Sequence, residues 1–382
     1  MFKFLKWLFY AFSSYVNSFE RKVDKFFRNV KSTDNIFSIQ KELLKLMQEN
    51  LVVTNVWLEK KFKGYKYLTK GVRKKMYENT EEIVKKFQEF CDTHVVSENS
   101  LKTEFGNTAQ LKYLACICEF LRPGIYYEYI QTSSFGKLLS DPNKSKLQGD
   151  CNQIVTLYIY LYSLKFPVQD LQIKLLPEHV CLHFRGVDIE ATAGQFAKYK
   201  KYDYLLPITE IISTNLLDMS DFREETQKIS EIEMVKSAQL AYAISSLKEL
   251  VEKNLETAYH NMGIAAMKNN NFQSAIFYIS KIKDHKLLSG IYQNACAHYV
   301  EIKDFRKAKY YARESRNRDL IAQVEKAALA KEYNDLAVIV SKVKTIDDAK
   351  KYKSEYKKML ELSRKLGDEK LENQVREILG KI

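Results

Sequence analysis

A chain of 382 residues is long enough for two or three domains of ordinary size. Apolar residues make up 46% of it, and only 12 Gly and 5 Pro interrupt it, so long low-complexity segments are not expected. The net charge of +13 is uneven, because residues 1–75 contain 17 Lys and Arg against 6 Asp and Glu, a difference of +11. This asymmetry predicts a local basic surface that faces an anionic partner, either lipid or nucleic acid.

The six cysteines are scattered along the chain without the spacing of a small disulfide framework. They are Cys91, Cys116, Cys118, Cys151, Cys181 and Cys296. This pattern is typical of a reducing compartment, so we expect a cytoplasmic protein. Cys116 and Cys118 form a C-x-C within an apolar run, which favours two buried small side chains over a metal site. The sequence predicts no cofactor and no metal.

The first 30 residues are basic and rich in aromatic side chains. The apolar stretch at residues 7–12 is far shorter than the about 20 apolar residues of a membrane-spanning helix, and no signal-peptide cleavage site follows it. Apolar residues instead recur at intervals of four and three, on one seam of a helix. They are Leu5, Phe9, Phe12, Val16, Phe19, Val23 and Phe26.

Two interpretations of this N-terminal helix stay open. It packs on the chain's own core, or it lies on an anionic membrane surface and makes the protein peripheral to the membrane. Nucleic-acid binding is not favoured, because the aromatic residues follow the apolar seam and do not alternate with the basic ones.

Three regions are predicted along the chain. Residues 1–110 are helical, with breaks near Asp34, Gly64 and Thr80, and both Asp34 and Thr80 are candidate N-caps. Residues 111–225 combine helices with a small sheet. Residues 226–382 are helical and contain repeats.

The second region contains one buried helix followed by short strands. The helix starts at Cys151 and stops before Pro167. Segments rich in Val, Ile, Leu and Phe then predict antiparallel strands at 171–176, 180–184 and 187–189.

The third region repeats with a period of 33 residues. Five residues recur at that offset: Tyr259, Asn261, Phe272, Ala275 and Tyr278 match Tyr292, Asn294, Phe305, Ala308 and Tyr311. Gly263 and Ala275 are small where two helices of a repeat pack closely. A weaker third copy is predicted at residues 321–340, with Tyr333 in the role of Phe272.

Cys151 is the candidate nucleophile, because unpaired backbone N–H groups and the helix dipole favour a thiolate at a helix start. Such a nucleophile needs a base that a third group orients, and His179 and Glu190 on neighbouring strands supply both. Asp188 shares a strand face with Glu190 and is the alternative acid. The backbone N–H of Cys151 and the side chain of Gln148 are candidate oxyanion donors.

Two other interpretations of these residues stay open. A cysteine in an apolar helix and a histidine on a strand are often inert core residues. His179, Cys181 and His183 also alternate onto one strand face, so a metal site with Cys151 is conceivable, although no fourth spaced ligand is evident.

Residues 126–215 resemble the transglutaminase-like superfamily, in particular its bacterial members with tetratricopeptide repeats downstream. Gly149-Asp150-Cys151 before an apolar helix is similar to the nucleophile helix of that family. Leu176-Pro177-Glu178-His179-Val180 is similar to its histidine strand, and Ile189-Glu190-Ala191-Thr192 to its acidic strand. The sequence departs from the family in two places: its acid is often Asp followed by Pro, and an aromatic residue often follows its His.

The resemblance implies an α+β domain of papain-like fold, with a Cys-His-Glu triad that acts on amide bonds of a protein or peptide substrate. Resolution of the acyl-enzyme by water gives a peptidase or amidase, whereas resolution by an amine gives an acyltransferase. The repeat region is expected to bind a protein partner. The alternative is a catalytically inactive scaffold that mediates protein–protein interaction at a membrane surface.

Overall fold

The structure, a computed structural model, describes residues 13–96, 108–218 and 229–382. The chain forms two compact units that divide between Ala258 and Tyr259. The described part of the first unit is α+β, and that of the second is helical. Residues 1–110 and 111–225, which the sequence separates into two regions, therefore belong to one unit. None of the described helices is long and apolar enough to cross a bilayer.

The first unit surrounds a small sheet with helices. The helices are α1 Ser18–Asn29, α2 Ile36–Leu58, α3 Lys70–Thr93, α4 Ala109–Phe120, α5 Phe135–Leu138, α6 Cys151–Ser163, α7 Glu210–Leu217 and α8 Glu231–Ile244. A π-helical turn at Glu59–Lys63 follows α2, and a 3-10 turn at Val168–Asp170 follows α6.

Seven strands of the described residues form two sheets. They are β1 Tyr127–Tyr129, β2 Leu147–Gly149, β3 Gln172–Leu176, β4 His179–Phe184, β5 Val187–Glu190, β6 Gln195–Ala197 and β7 Tyr204–Pro207. β1 and β2 pair in parallel, and the other five form an antiparallel sheet in the order β6-β5-β4-β3-β7. The predicted helix start at Cys151 and the three predicted strands are confirmed.

Helix α6 is the centre of the hydrophobic core of the first unit. Its apolar residues from Ile154 to Ile159 are fully buried, as is Leu161, and the ring of Tyr162 contacts Phe184 on β4 with ring centroids 6.5 Å apart. The same cluster includes Val23 and Phe27 of α1. The core therefore joins the N-terminal helices to the sheet, which fixes α6 over β4.

The described part of the N-terminal seam packs on this core. Val23 is fully buried, and Phe19 and Phe26 pack against the core from half-buried positions. A continuous helix through the seam is wrong, because α1 begins only at Ser18, where the side chain of Asn17 caps it by accepting from the backbone N–H of Glu20. Leu5, Phe9 and Phe12 lie outside the described residues.

Two predicted helix starts are also wrong. Asn35, rather than Asp34, caps α2, since its side-chain oxygen accepts from the backbone N–H of Phe37 at 2.9 Å. Thr80 lies inside α3 and does not cap a helix. Its hydroxyl instead donates to the backbone carbonyl of Met76 at 2.8 Å. The predicted break at Gly64 is confirmed, because Gly64 ends the π-helical turn with a φ of 79°.

Cys91 at the end of α3 and Cys116 in α4 are joined by a disulfide. The expectation that Cys116 is simply a buried small side chain is therefore wrong. Cys118 is buried and free, as expected. The spacing of these cysteines gave no sign of the pairing, because α3 and α4 come together only through the tertiary fold.

The described helices beyond α8 follow one another with short turns. They are α9 Lys248–Lys268, which crosses the unit boundary, α10 Phe272–Ile279, α11 His285–Glu301, α12 Phe305–Glu314, α13 Arg318–Val340, α14 Ile346–Lys351, α15 Lys353–Leu366 and α16 Glu369–Lys381. Their boundaries repeat at the predicted offset of 33, as the starts of α10 and α12 and the starts of α11 and α13 show.

The turns repeat as well. Asn270 and Lys303 both adopt positive φ, as do Lys283 and Arg316 one offset apart. Equivalent ring pairs pack in the two repeats, Tyr259 with Tyr278 at 6.3 Å and Tyr292 with Tyr311 at 6.4 Å between centroids. The predicted third copy is wrong, because residues 321–340 belong to the single helix α13, without the turn that a helix pair requires.

The close packing at Gly263 generates a test of the repeat. A Cβ atom there would lie 2.5 Å from Cδ1 of the fully buried Ile279, and Ala275 is also fully buried. We predict that Gly263→Leu and Ala275→Leu each lower the free energy of unfolding by about 1 to 3 kcal/mol, because they overpack this contact. Urea denaturation measures the change. Gly290→Leu in α11 is the control, since a Cβ at Gly290 meets no atom within 4 Å, and an equal loss there would contradict the packing.

Candidate active site

The start of α6 is built by its cap. The side chain of Asp150 accepts from the backbone N–H of Asn152 at 3.0 Å, and the side chain of Gln153 accepts from the backbone N–H of Asp150 at 3.0 Å. This capping box fixes the first turn. Cys151 is the first helical residue, so its own N–H has no acceptor within the helix and is free to serve as an oxyanion donor.

His179 bridges the thiol and the acid. Its Nε2 lies 2.8 Å from Oε2 of Glu190, and the thiol of Cys151 has the largest influence on the pKa of the ring. Because Nε2 is occupied by Glu190, Nδ1 is the ring nitrogen left for the sulfur. The hydrogen bonds to Cys151 and to Glu190 raise the pKa of His179 to about 10, against the opposite effect of burial. The three predicted catalytic residues are therefore brought together, with the ring poised as an imidazolium.

The carboxylate of Glu190 accepts four hydrogen bonds from three residues. Oε2 accepts from His179 and, at 2.6 Å, from the hydroxyl of Tyr199, while Oε1 accepts from the hydroxyl of Thr192 at 2.5 Å and from its backbone N–H at 3.2 Å. Burial alone would raise the pKa of Glu190, but the hydrogen bonds from His179, Thr192 and Tyr199 outweigh it and lower the pKa to about 2. Glu190 is thus a permanent anion that holds the imidazole.

Strand register explains why these side chains meet. β4 and β5 pair with Leu182 opposite Ile189 and with His183 opposite Asp188. Continuing the same register makes His179 and Glu190 diagonal neighbours, a separation that long side chains bridge. The turn before β4 places Glu178 at a φ of 55°, so the chain reverses immediately ahead of His179.

Asp188 belongs to a second cluster on the same hairpin. Its Oδ1 lies 2.6 Å from Nδ1 of His183 and 2.6 Å from Nζ of Lys174, and its Oδ2 accepts from the backbone N–H of Tyr199 at 2.7 Å. The backbone N–H of Gly186 donates to Nε2 of His183, so the proton of this ring lies on Nδ1. The structure therefore pairs Glu190 with His179 and gives Asp188 other partners.

In the described residues, the side chain of Gln148 has no hydrogen bond with Cys151, His179 or Glu190. It lies on β2, its side chain is exposed, and its Nε2 donates to Oε2 of Glu128 at 3.3 Å. The sequence did not identify Tyr129 as a residue near Cys151. The register of β1 and β2 sets Tyr129 opposite Gly149, two residues before Cys151, and the side chain of Tyr129 is half exposed. Burial raises the pKa of Tyr129 most, and the electrostatic influence of Cys151 raises it further.

The remaining free cysteines are unlike Cys151. Cys118, Cys181 and Cys296 are buried, whereas Cys151 is partly exposed. Burial raises the pKa of Cys118 and of Cys181 to about 12, which suppresses their thiolates. No group of His, Cys, Asp and Glu within residues 13–96, 108–218 and 229–382 is arranged to hold a metal ion, so the metal interpretation gains no support.

Sequence reasoning also missed Tyr199 and Thr192 as partners of Glu190. Thr192 lies two residues after the acid, within the quoted acidic-strand motif, so its hydroxyl was a foreseeable donor. Tyr199 comes from the segment between β6 and β7 and carries no sequence signal, because only the fold returns it to β5.

In comparisons with known proteins, no family model matches the chain, and neither a curated protein nor a solved structure matches it significantly.

The support of Glu190 by Tyr199 generates a prediction. Tyr199→Phe removes one donor from a buried carboxylate, so the free energy of unfolding at pH 7 should fall by about 1 to 3 kcal/mol. The lowered pKa of Glu190 stabilises the fold above its ordinary pKa, and this stabilisation is lost as the pH falls toward about 2. With the pKa less depressed in the variant, acid unfolding should begin at a higher pH, which urea denaturation across pH measures.

Tyr202→Phe is the matched control. The ring of Tyr202 lies under Nζ of Lys174 at 4.5 Å, and Phe keeps that ring. Equal losses of stability in both variants, or an unchanged acid limb in Tyr199→Phe, would contradict the role of the Tyr199 hydroxyl.

Proposed function

We propose that the first unit is a transglutaminase-like cysteine enzyme that acts on amide bonds of a protein or peptide substrate. The observation that carries the proposal is the place of His179 between Glu190, which its Nε2 contacts at 2.8 Å, and the thiol of Cys151, which has the largest influence on its pKa. These residues have the three required roles: a thiol at a helix start, a base beside it, and a buried carboxylate that orients the base. The resemblance of the motifs around each residue supports the same reaction class.

The reaction runs through a thioester. The sulfur of Cys151 attacks the amide carbonyl, the tetrahedral oxyanion is stabilised by the backbone N–H of Cys151, and the C–N bond breaks as His179 donates its proton to the leaving amine. His179 then accepts a proton from the second nucleophile, which attacks the thioester and releases the sulfur. With water the product is a carboxylic acid, and with an amine it is a new amide.

The other parts of the proposal have narrower support. A protein partner of the repeats is supported by Phe277 and Tyr310, which are both more than half exposed and lie one repeat offset apart. A cytoplasmic location is supported by the free thiols that remain buried, and the disulfide between Cys91 and Cys116 is the observation against it.

Alkylation of the intact protein by iodoacetamide tests the proposal. We predict that Cys151 is labelled at pH 5.5 to 6, because the imidazolium of His179 stabilises its thiolate, whereas an ordinary thiol is about 99% or more protonated there. Peptide mass spectrometry identifies the labelled residue. Cys151→Ala should abolish labelling at this pH, and His179→Ala should slow it by at least about tenfold.

His183→Ala is the matched control for His179→Ala. Both histidines lie on β4 and both bond to a carboxylate of β5, but only His179 reaches the thiol. Loss of labelling in His183→Ala together with normal labelling in His179→Ala would contradict the assignment. An unreactive Cys151 in the wild-type protein would favour the alternative, an inactive scaffold that binds proteins.

Glu190→Gln should have a smaller effect than His179→Ala. Glutamine keeps the shape and a hydrogen-bond partner for His179, but it lacks the charge that helps to raise the pKa of His179. The imidazolium is then less stable, so the acidic limb of alkylation should move to higher pH by on the order of one unit. The rate of labelling between pH 4 and pH 9 measures this limb, and an unmoved limb would show that Glu190 does not act through the imidazole.

A further inference from the structure

The turn between α1 and α2 exposes a large aromatic side chain. Phe37, in the first turn of α2, is 81% exposed. The next residue, Ser38, lines a cavity of about 420 Å³ between the two helices, and Phe26, Val30 and Ile39 form the apolar wall of that cavity. An exposed aromatic side chain next to an apolar groove is unusual for a surface that faces only water.

Burial separates the charges of this region by sign. Residues 13–45 contain seven Lys and Arg and four Asp and Glu. All seven cations are exposed: Arg21, Lys22, Lys25, Arg28, Lys31, Lys41 and Lys45. Two of the four carboxylates, Glu20 and Asp24, are buried. The solvent therefore meets seven positive and two negative side chains along residues 13–45, while the lining of the groove itself contains two of each sign, Lys22, Lys25, Asp34 and Glu42.

The buried carboxylates are held by the fold itself. Glu20 is paired with Arg73 of α3 at 2.8 Å, and Asp24 accepts from Tyr15 and from Trp57. Asp24 also pairs with the exposed Arg28 of α1 at 2.7 Å, and Lys22 and Lys45 pair with Glu49 and Glu42, so the positive excess of the surface is smaller than the count of its cations. The positive surface is thus a consequence of how α1 packs on the core, and it differs from the apolar seam that the sequence suggested.

The turn also fixes the position of Phe37. The side chain of Asn35 accepts from the backbone N–H of Phe37 at 2.9 Å, and that of Asp34 accepts from the backbone N–H of Lys31 at 2.8 Å. An ordered turn presents the aromatic ring at little cost in conformational entropy.

We propose that the α1–α2 turn is a docking surface for an anionic membrane. Phe37 inserts among the lipid chains at the level of the headgroups, and the exposed cations of α1 and α2 lie against the negative headgroups. A membrane accounts for both features at once, because interfacial binding combines an apolar insertion with electrostatic attraction. This inference is independent of the proposed chemistry at Cys151.

Sedimentation of the full-length protein with vesicles tests the inference. The vesicles contain either phosphatidylcholine alone or phosphatidylcholine with 30% phosphatidylserine. The wild-type protein should bind the anionic vesicles and should be released by about 0.5 M salt, which screens the attraction. Phe37→Ser should weaken binding at least about fivefold, a free-energy change of about 1 kcal/mol.

Matched variants separate this surface from general effects. Val95→Ser controls for Phe37→Ser, because Val95 is an equally exposed apolar residue, at 89%, after the end of α3. Lys25→Glu with Lys31→Glu should abolish binding, whereas Lys342→Glu with Lys344→Glu, also exposed and of equal charge change, should leave it unchanged. Each variant is also made without residues 2–12, and Phe37→Ser must weaken binding in both backgrounds.

Three results would overturn the inference. They are failure of the wild-type protein to bind anionic vesicles at low salt, normal binding by Phe37→Ser, and displacement of the protein from vesicles by a single-stranded oligonucleotide at stoichiometric concentration. The last result would assign the positive surface to nucleic acid.

Discussion

The buried carboxylate of Glu190 is the constraint on which the candidate site depends. An anion in the interior is costly unless hydrogen bonds replace its lost hydration. Glu190 is 6% exposed, and His179, Thr192 and Tyr199 supply those bonds. Each donor comes from a different part of the fold, so β4, the end of β5 and the segment after β6 must all be in place before the charge is stable. The site is therefore assembled by folding of the whole sheet.

Two histidine–carboxylate pairs on one hairpin show how the surroundings assign roles. The charge of Asp188 is balanced by Lys174, and its histidine is held in one tautomer by Gly186. That cluster is satisfied internally, so it stabilises the sheet. Glu190 instead takes neutral donors from Thr192 and Tyr199, and the cation that balances it is His179, whose second ring nitrogen serves the thiol of Cys151. A histidine–carboxylate pair thus closes on the sheet at His183 and Asp188, whereas the pair of His179 and Glu190 extends to a thiol, as the proposed chemistry requires.

Local sequence predicted the features that local physics determines. The start of α6 at Cys151, the strands and the offset of 33 all follow from hydrophobic pattern and turn residues. The choice of Cys151, His179 and Glu190 rested instead on the chemistry of a cysteine nucleophile and on the resemblance of their motifs, and their catalytic roles stay a prediction. The predicted N-cap at Thr80 is wrong because α3 continues through this residue. The predicted third repeat is wrong because α13 continues as one helix where a turn was expected. Tyr199 could not be found, since only the return of the chain to β5 brings its hydroxyl to Glu190.

Titration of the His179 ring by nitrogen NMR is the most direct measurement of the central claim that Cys151, His179 and Glu190 act together. Cys151 makes the largest contribution to the raised pKa of His179, and Glu190 the next. The ring should therefore stay doubly protonated at pH 8 in the wild-type protein and titrate at a pH lower by more than one unit in Cys151→Ala. A ring that titrates near its ordinary pKa of about 6.5 in both proteins would contradict the coupling, and with it the assignment of Cys151 as a nucleophile.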